Sequence, residues 1–315
     1  MSVDALVVAG GAPPPEDPLY VYTQGRPKAM LWVAGQPMVQ WVLDALEVND
    51  HVERVVVVGL DEAMGLQSSK VLAYVPDQGN MLANARAGLQ RLRLHESQPR
   101  RVLLLASDIP ALRSEMIDWA LAQDEGETLD AVYFVVRREV MTQRFPGVQR
   151  TYVRFKDVEV CGADVHLISS HLAAPDLPLW ERLVAARKSP RRLAALLGWQ
   201  VLLKLLLHTA TLSEAQRLIA RRLGVRAKAV LSPYAEMAMD GDRPEQIEML
   251  RRALRSRKPS AARRSKPPSA SPQVFRDSNF SANSALPFSP PLPLGLARGQ
   301  KGRRAAERGE AQGER

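Results

Sequence analysis

Apolar runs of strand length, separated by segments with helical spacing, recur through the first 136 residues: Ala5–Ala9, Val55–Val58, Val71–Val75, Val102–Ala106 and Ala131–Val136. They lack the polar alternation of a strand with one wet face. Continuous Val and Leu runs suit strands covered on both faces, and such strands are mostly parallel. The stretches between them, Met38–Glu47, Met81–Leu94 and Ser114–Gln123, repeat apolar residues at helical spacing and supply the covering layers. The pattern predicts a doubly wound α/β sheet.

Beyond Arg137 the rhythm changes. Thr151–Phe155 reads as a short alternating strand, Ala163–Ile168 as another apolar segment, and Leu179–Leu223 as mostly helical. Val230–Met239 reads as extended or loop, and Pro244–Leu254 as an amphipathic helix with proline in its first turn. Leu193–Leu212 has the length of a bilayer crossing, which takes ~20 residues. Lys204 stands in its middle among Gln200 and His208, so a buried helical hairpin fits better than insertion.

The net charge of +9 does not describe the folded body. Residues 255–315 hold 13 Lys and Arg against 4 Asp and Glu, which leaves the preceding 254 residues balanced at 30 of each sign. That tail carries 8 of the 23 prolines, is rich in Ser, Arg and Gly, and has no sustained periodicity; residues 256–315 are expected to be a disordered basic extension. Nucleic acid is not the expected partner and could be met only through this tail, because the excess charge sits on an extension that lacks the interleaved aromatics of a stacking platform. The single cysteine, Cys161, excludes an internal disulfide framework, and no basic region followed by an apolar signal segment is visible; the cytoplasm is the expected compartment. His51, His95, His166, His171 and His208 show no metal-ligand spacing with one another or with Cys161.

Chemistry-bearing residues fall at the ends of the apolar runs. The first ends in Ala9-Gly10-Gly11, and Lys28 follows in Gly25-Arg26-Pro27-Lys28-Ala29-Met30. Paired glycines let backbone N–H groups approach an anion without a Cβ in the way, and a lysine on the returning loop adds a point charge. Asp108 follows directly on Val102–Ala106, in Ser107-Asp108-Ile109-Pro110. A carboxylate at that place can hold Mg2+ through oxygen; it can equally cap a helix starting near Ala111. Asp240-Gly241-Asp242 precedes the last helix with the same two readings, metal ligand and N-cap, which are compatible.

The order of these motifs, Ala5–Gly11, Arg26–Leu31 with Gly35–Met38, Ala106–Pro110 and Asp240–Glu245, resembles the NTP transferases related to molybdenum-cofactor guanylyltransferase, over roughly residues 1–254. The resemblance implies a three-layer, Rossmann-like fold of the glycosyltransferase-A type, with a mostly helical acceptor-side extension at 137–228 inside a domain spanning 1–255. It implies an NTP as donor, a phosphorylated or hydroxyl-bearing small molecule as acceptor, Mg2+ as cofactor and pyrophosphate as product. Ala9, Gly10, Gly11, Arg26 and Lys28 take the triphosphate, Lys28 and Asp108 act in catalysis, and Asp108 shares the metal with Asp242 or Asp240, Asp242 preferred. In Val75–Asn80, followed by Asn84 and Ala87-Gly88, Asn80 is the candidate for base and ribose; Gly79-Asn80 also reads as a turn and N-cap. Phe145–Tyr152 and Cys161–Asp164 are similar to loops that cover the second substrate, with Asp164 as acceptor candidate.

Two departures stand out. Where relatives carry further glycine and an arginine, this chain has Ala12-Pro13-Pro14-Pro15-Glu16-Asp17-Pro18, and prolines donate no N–H. The acceptor segment reads Gly162-Ala163-Asp164 where two glycines and an asparagine are expected. A non-catalytic nucleotide-binding regulator and a nucleotide-sugar glycosyltransferase therefore stand as alternatives; base, acceptor and oligomeric state stay open.

Overall fold

The computed structural model describes residues 2–95, 100–173, 203–204, 207–255 and 257. The expected basic tail, apart from Arg257, and most of the Leu193–Leu212 stretch lie outside them. Among the described residues no helix is long and apolar enough to cross a membrane.

The apolar runs become strands at nearly the expected bounds: β1 (Val3–Val8), β4 (Val52–Val58), β5 (Val71–Val75), β6 (Arg101–Ala106) and β7 (Ala131–Arg137). A small antiparallel hairpin, β2 (Trp32–Val33) with β3 (Gln36–Pro37), lies between β1 and β4 in sequence. Two further strands, β9 (Glu159–Ser169) and β10 (Ala227–Ser232), complete the main sheet in the order β10-β7-β9-β6-β1-β4-β5, and β8 (Val153–Arg154) pairs with β9. Strand β9 runs antiparallel to both β6 and β7, whereas β1, β4, β5 and β6 are mutually parallel. The sheet is therefore mixed, with its parallel half at the β5 end.

Alternate residues of the central strands enter two separate cores. Ala5, Val7, Val55, Val57, Leu103 and Leu105 pack with α2 (Met38–Glu47), α4 (Ser114–Leu121) and α7 (Pro244–Leu254). Leu6, Val56, Val58 and Val102 pack on the other face with α3 (Met81–Arg93), which buries Ala85, Gly88, Leu89 and Leu92, spaced as one helical stripe. A Cβ on Gly88 would lie 2.2 Å from Leu6 Cδ1, so the backbone of α3 rests directly on the Leu6 side chain of β1. Each fully buried Leu contributes about 2 kcal/mol to this sandwich. The shorter helices α1 (Tyr20–Thr23) and α5 (Arg138–Arg144) serve as connectors. Of the expected helical stretch 179–223, the described part is chiefly α6 (Leu212–Leu223), closed by a Thr211–Glu214 capping box and by Gly224 in the left-handed region.

Chain order places the crevice. From β1 the chain steps to β4 and β5 on one side, then crosses back so that β6 flanks β1 on the other. At such a reversal, loops leaving neighbouring carboxyl ends diverge and leave a cleft. The amino ends are closed by charge pairs instead: Asp4, fully buried, binds Arg54 at 2.6 and 2.9 Å, Arg101 binds Asp124 at 2.7 Å, and Asp130 binds Arg226 at 2.6 Å. That pole is built for stability.

Candidate functional site

Gly10, at the end of β1, is required by contact. Ala9 N–H prolongs the ladder to Val58 O at 2.7 Å, and a Cβ on Gly59 (φ +98°) would stand 2.3 Å from Gly10 Cα. A Cβ on Gly10 would stand 2.6 Å from Asn84 Nδ2 and 2.7 Å from Asp77 Oδ1. These two side chains make a hub: Asp77 accepts from Asn84 Nδ2 and from Gly79 N–H, both at 2.9 Å, while Asn84 Oδ1 accepts Gln78 N–H at 2.6 Å. Those donors hold the Asp77 carboxyl below its usual range. Gly11 (φ +102°) turns the chain, and its carbonyl accepts Lys28 N–H at 3.2 Å, fixing the glycine turn against the lysine loop.

The proline-rich loop is ordered by Asp17, whose carboxylate accepts Leu19 N–H at 2.8 Å and whose carbonyl accepts Tyr20 N–H at 2.9 Å. Pro13 and Leu19 are buried, so the loop is pinned at both ends. Arg26 is exposed. Asn80 caps α3, accepting Ala83 N–H at 3.0 Å, so the capping alternative describes its contact.

Lys28, Asp108 and Asp242 come together. The lysine Nζ forms ion pairs with Asp108 Oδ2 and Asp242 Oδ1 at once. Burial pulls the Lys28 ammonium down, but the facing Asp108 and Asp242 carboxylates outweigh it and raise its pKa above the ordinary lysine value. Neither aspartate caps a helix. Helix α4 starts at Ser114, where its apolar spacing predicts and not near Ala111 as a cap by Asp108 would require, with Arg113 at its N-cap, and Arg243 is the N-cap of α7. The two carboxylates are fixed to each other through backbone, since Gly241 N–H donates to Asp108 O at 3.0 Å. From the first turn of α7, Gln246 accepts Asp242 N–H and donates to Asp240 Oδ1, each at 3.0 Å.

Asp240 faces the other way, forming an ion pair with Arg150, whose second nitrogen lies 3.5 Å from Asp164 Oδ2. Burial is the main force on the Asp240 carboxyl and, against the pull of Arg150, raises it to about 6. Asp164 is also raised, first by burial and then by Asp108 and Asp240; its Oδ2 is sealed from solvent and has no hydrogen-bond partner. Cys161–Asp164, expected as a loop, lies within β9: Cys161 and Gly162 pair with Val136 and Val135, and the register against β7 shifts before His166 pairs with Tyr133. Between this wall and the head of α7 lies a polar cavity of about 430 Å³, lined by Arg150, Thr151, Cys161, Gly162, Asp242 and Arg243 among others.

Arg150, Gln246, Asp77 and Asn84 organise the site, yet none was singled out as a candidate from its spacing; Asn84 appeared only as a follower of Asn80. Among the described residues no cluster of three or more His, Cys, Asp and Glu is arranged around a metal. What is present is an oxygen pair, Asp108 and Asp242, meeting around a cation, the Lys28 ammonium. Two hard oxygens with the remaining positions left to water and phosphate suit Mg2+.

The chain matches the MobA-like NTP transferase domain over residues 5–236. A hypothetical transferase from Thermus thermophilus is 36% identical, with a TM-score of 0.67, over 78% of this chain and 100% of its own. The 4-diphosphocytidyl-2C-methyl-D-erythritol synthase of Anaerococcus prevotii, 13% identical, shares the fold with a TM-score of 0.50 over 80% of this chain and 96% of its own. No curated protein matches significantly in sequence. With its glycine turn, lysine and aspartates gathered at the β1–β6 cleft and most of its length matched, the chain belongs to the MobA-like NTP transferase family.

Proposed function

We propose that this protein transfers a nucleotidyl group from an NTP to a phosphorylated or hydroxyl-bearing small molecule and releases pyrophosphate. One observation carries the reading: the Lys28 ammonium and the Asp108 and Asp242 carboxylates share one point above the ends of β1 and β6. A triphosphate and its counter-cation need that alternation of charge.

Gly10 and Gly11 let the phosphates approach the backbone, and Lys28, released from its carboxylates, neutralises charge on the departing pyrophosphate. Arg26, exposed at the mouth of the loop, adds a second positive group. Asp108 and Asp242 would hold Mg2+, which supplies charge neutralisation at the phosphate oxygens. Asn80 and the Asp77–Asn84 hub shape the rim toward the base. The acceptor enters the polar cavity beside Asp242, whose wall includes Arg150, and Arg150 in turn fixes the position of the Asp164 carboxylate, the acceptor-side candidate. Residues 1–255 act as the catalytic unit, 137–228 contribute the acceptor side, and the reaction draws on cytoplasmic NTP.

A pyrophosphate-release screen of four NTPs against pooled phosphorylated metabolites tests this, with Asp108→Ala as the control. Release by the wild type and its loss in the variant support the reading. Binding of Mg-NTP without release across the panel favours a regulator with a degenerate phosphate loop, and release of a nucleoside diphosphate favours a sugar transferase.

A further inference from the structure

We propose that Arg257, just beyond the end of α7, is a positioning residue that holds the Asp108 loop in register with the lysine loop. The proposal rests on the metal-holding use of Asp108 put forward above.

After α7 the chain turns back, with Arg257 N–H donating to Leu254 O at 2.9 Å. Its guanidinium reaches under the loop that links Asp108 to α4, where Nη1 donates to Leu112 O at 2.7 Å and to Pro110 O at 3.4 Å. The same guanidinium lies over the Trp41 ring, 5.4 Å from its centroid. Trp41 is 1% exposed, and its indole N–H donates to Val33 O at 2.8 Å, in the β2–β3 hairpin that follows the lysine loop. One side chain thus touches the loop carrying Asp108 and, through Trp41, the segment carrying Lys28.

Among the described residues no ion pair joins Arg257 to a carboxylate; burial and then Arg113 lower its pKa from the ordinary arginine value, against the weaker pull of Glu115 and Asp44. This half-buried guanidinium donates from one nitrogen to both carbonyls while lying over the indole, and a lysine can match the donor but not the flat face. The loop needs a bracket: Asp108 O is gripped by Gly241 N–H on one side, while α4 begins without a side-chain cap. The far side of the loop is held by Arg257.

The test compares full-length Arg257→Met and Arg257→Lys with Arg255→Ala, an exposed neighbour, by hydrogen exchange and by Mn2+ titration followed by electron paramagnetic resonance. In Arg257→Met, amides of residues 109–116 should exchange about tenfold faster, with those of α3 and β5 unchanged. Mn2+ affinity should fall about tenfold, as it does when the outer support of a metal ligand is lost. Arg257→Lys should recover part of both losses, and Arg255→Ala should match the wild type. Unchanged exchange at 109–116 in Arg257→Met overturns the proposal. So does faster exchange with Mn2+ affinity at the wild-type value, which marks a merely structural role. If the wild type binds no Mn2+, the metal reading of Asp108 falls, and the exchange contrast between methionine and lysine decides the bracket by itself.

Discussion

Asp240 and Asp242 stand two residues apart on one loop and serve opposite sides of the cleft. Asp242 has a half-exposed side chain and holds Lys28; Asp240 is buried and holds Arg150. The lysine is a flexible point charge within reach of solvent, free to exchange its carboxylates for phosphate. The arginine is enclosed by two carboxylates and Gly162 O at 3.4 Å, so it shapes a wall. Under the proposed function, the difference teaches that the lysine side, assigned to the nucleotide, is a charge arrangement able to rearrange, whereas the arginine side, assigned to the acceptor, is one held in place.

If so, substitutions on the two sides should fail in different ways. On the mobile side, Asp108→Ala should lower pyrophosphate release by about 10³-fold, the scale for losing a group that organises transition-state charge. Its melting temperature should stay near the wild-type value, because Lys28 keeps Asp242 as its counter-charge. On the fixed side, Arg150→Met should destabilise the fold by about 3 kcal/mol, measured by urea unfolding at pH 8, since it strands Asp240 and Asp164 without a counter-charge. Equal effects on stability from both variants would break the comparison.

The fold was legible because burial on both faces of the sheet leaves an unmistakable mark: Val71–Val75, Met38–Glu47 and Pro244–Leu254 are found at the bounds their apolar spacing predicts. The direction of β9 was not, since an apolar run says nothing of its orientation, and Cys161–Asp164 was taken for a loop on the strength of resemblance. That Lys28, Asp108 and Asp242 belong to one site was implied by the family resemblance that the motif order carries. Arg150, Gln246 and Arg257 could not. Each acts on a backbone or carboxylate distant in sequence, as with Arg150 on Asp240, and no local spacing records a contact made only after folding.

Smaller effects sharpen the contrast. Gly10→Ala should cost about 1–3 kcal/mol, because its Cβ meets the Asp77–Asn84 hub and neither partner can yield without giving up a hydrogen bond. Asp240, raised to about 6, keeps its proton in the folded state at pH values where the unfolded chain has lost it. Folding stability should therefore fall by about 2 kcal/mol as pH rises from about 4 to 6, and Asp240→Asn should flatten that slope in pH-dependent urea melts. Arg26→Ala, at an exposed position, should change stability by less than ~0.5 kcal/mol and only weaken NTP affinity.

The central claim is that this cleft moves the α-phosphorus of an NTP. Incubation with an NTP labelled at the α-phosphate, together with the acceptor pool, follows that atom directly. The account predicts label in a new acceptor conjugate and unlabelled pyrophosphate in equal amount, both lost in Asp108→Ala. Label confined to unreacted NTP, or to a free nucleoside diphosphate, would contradict it.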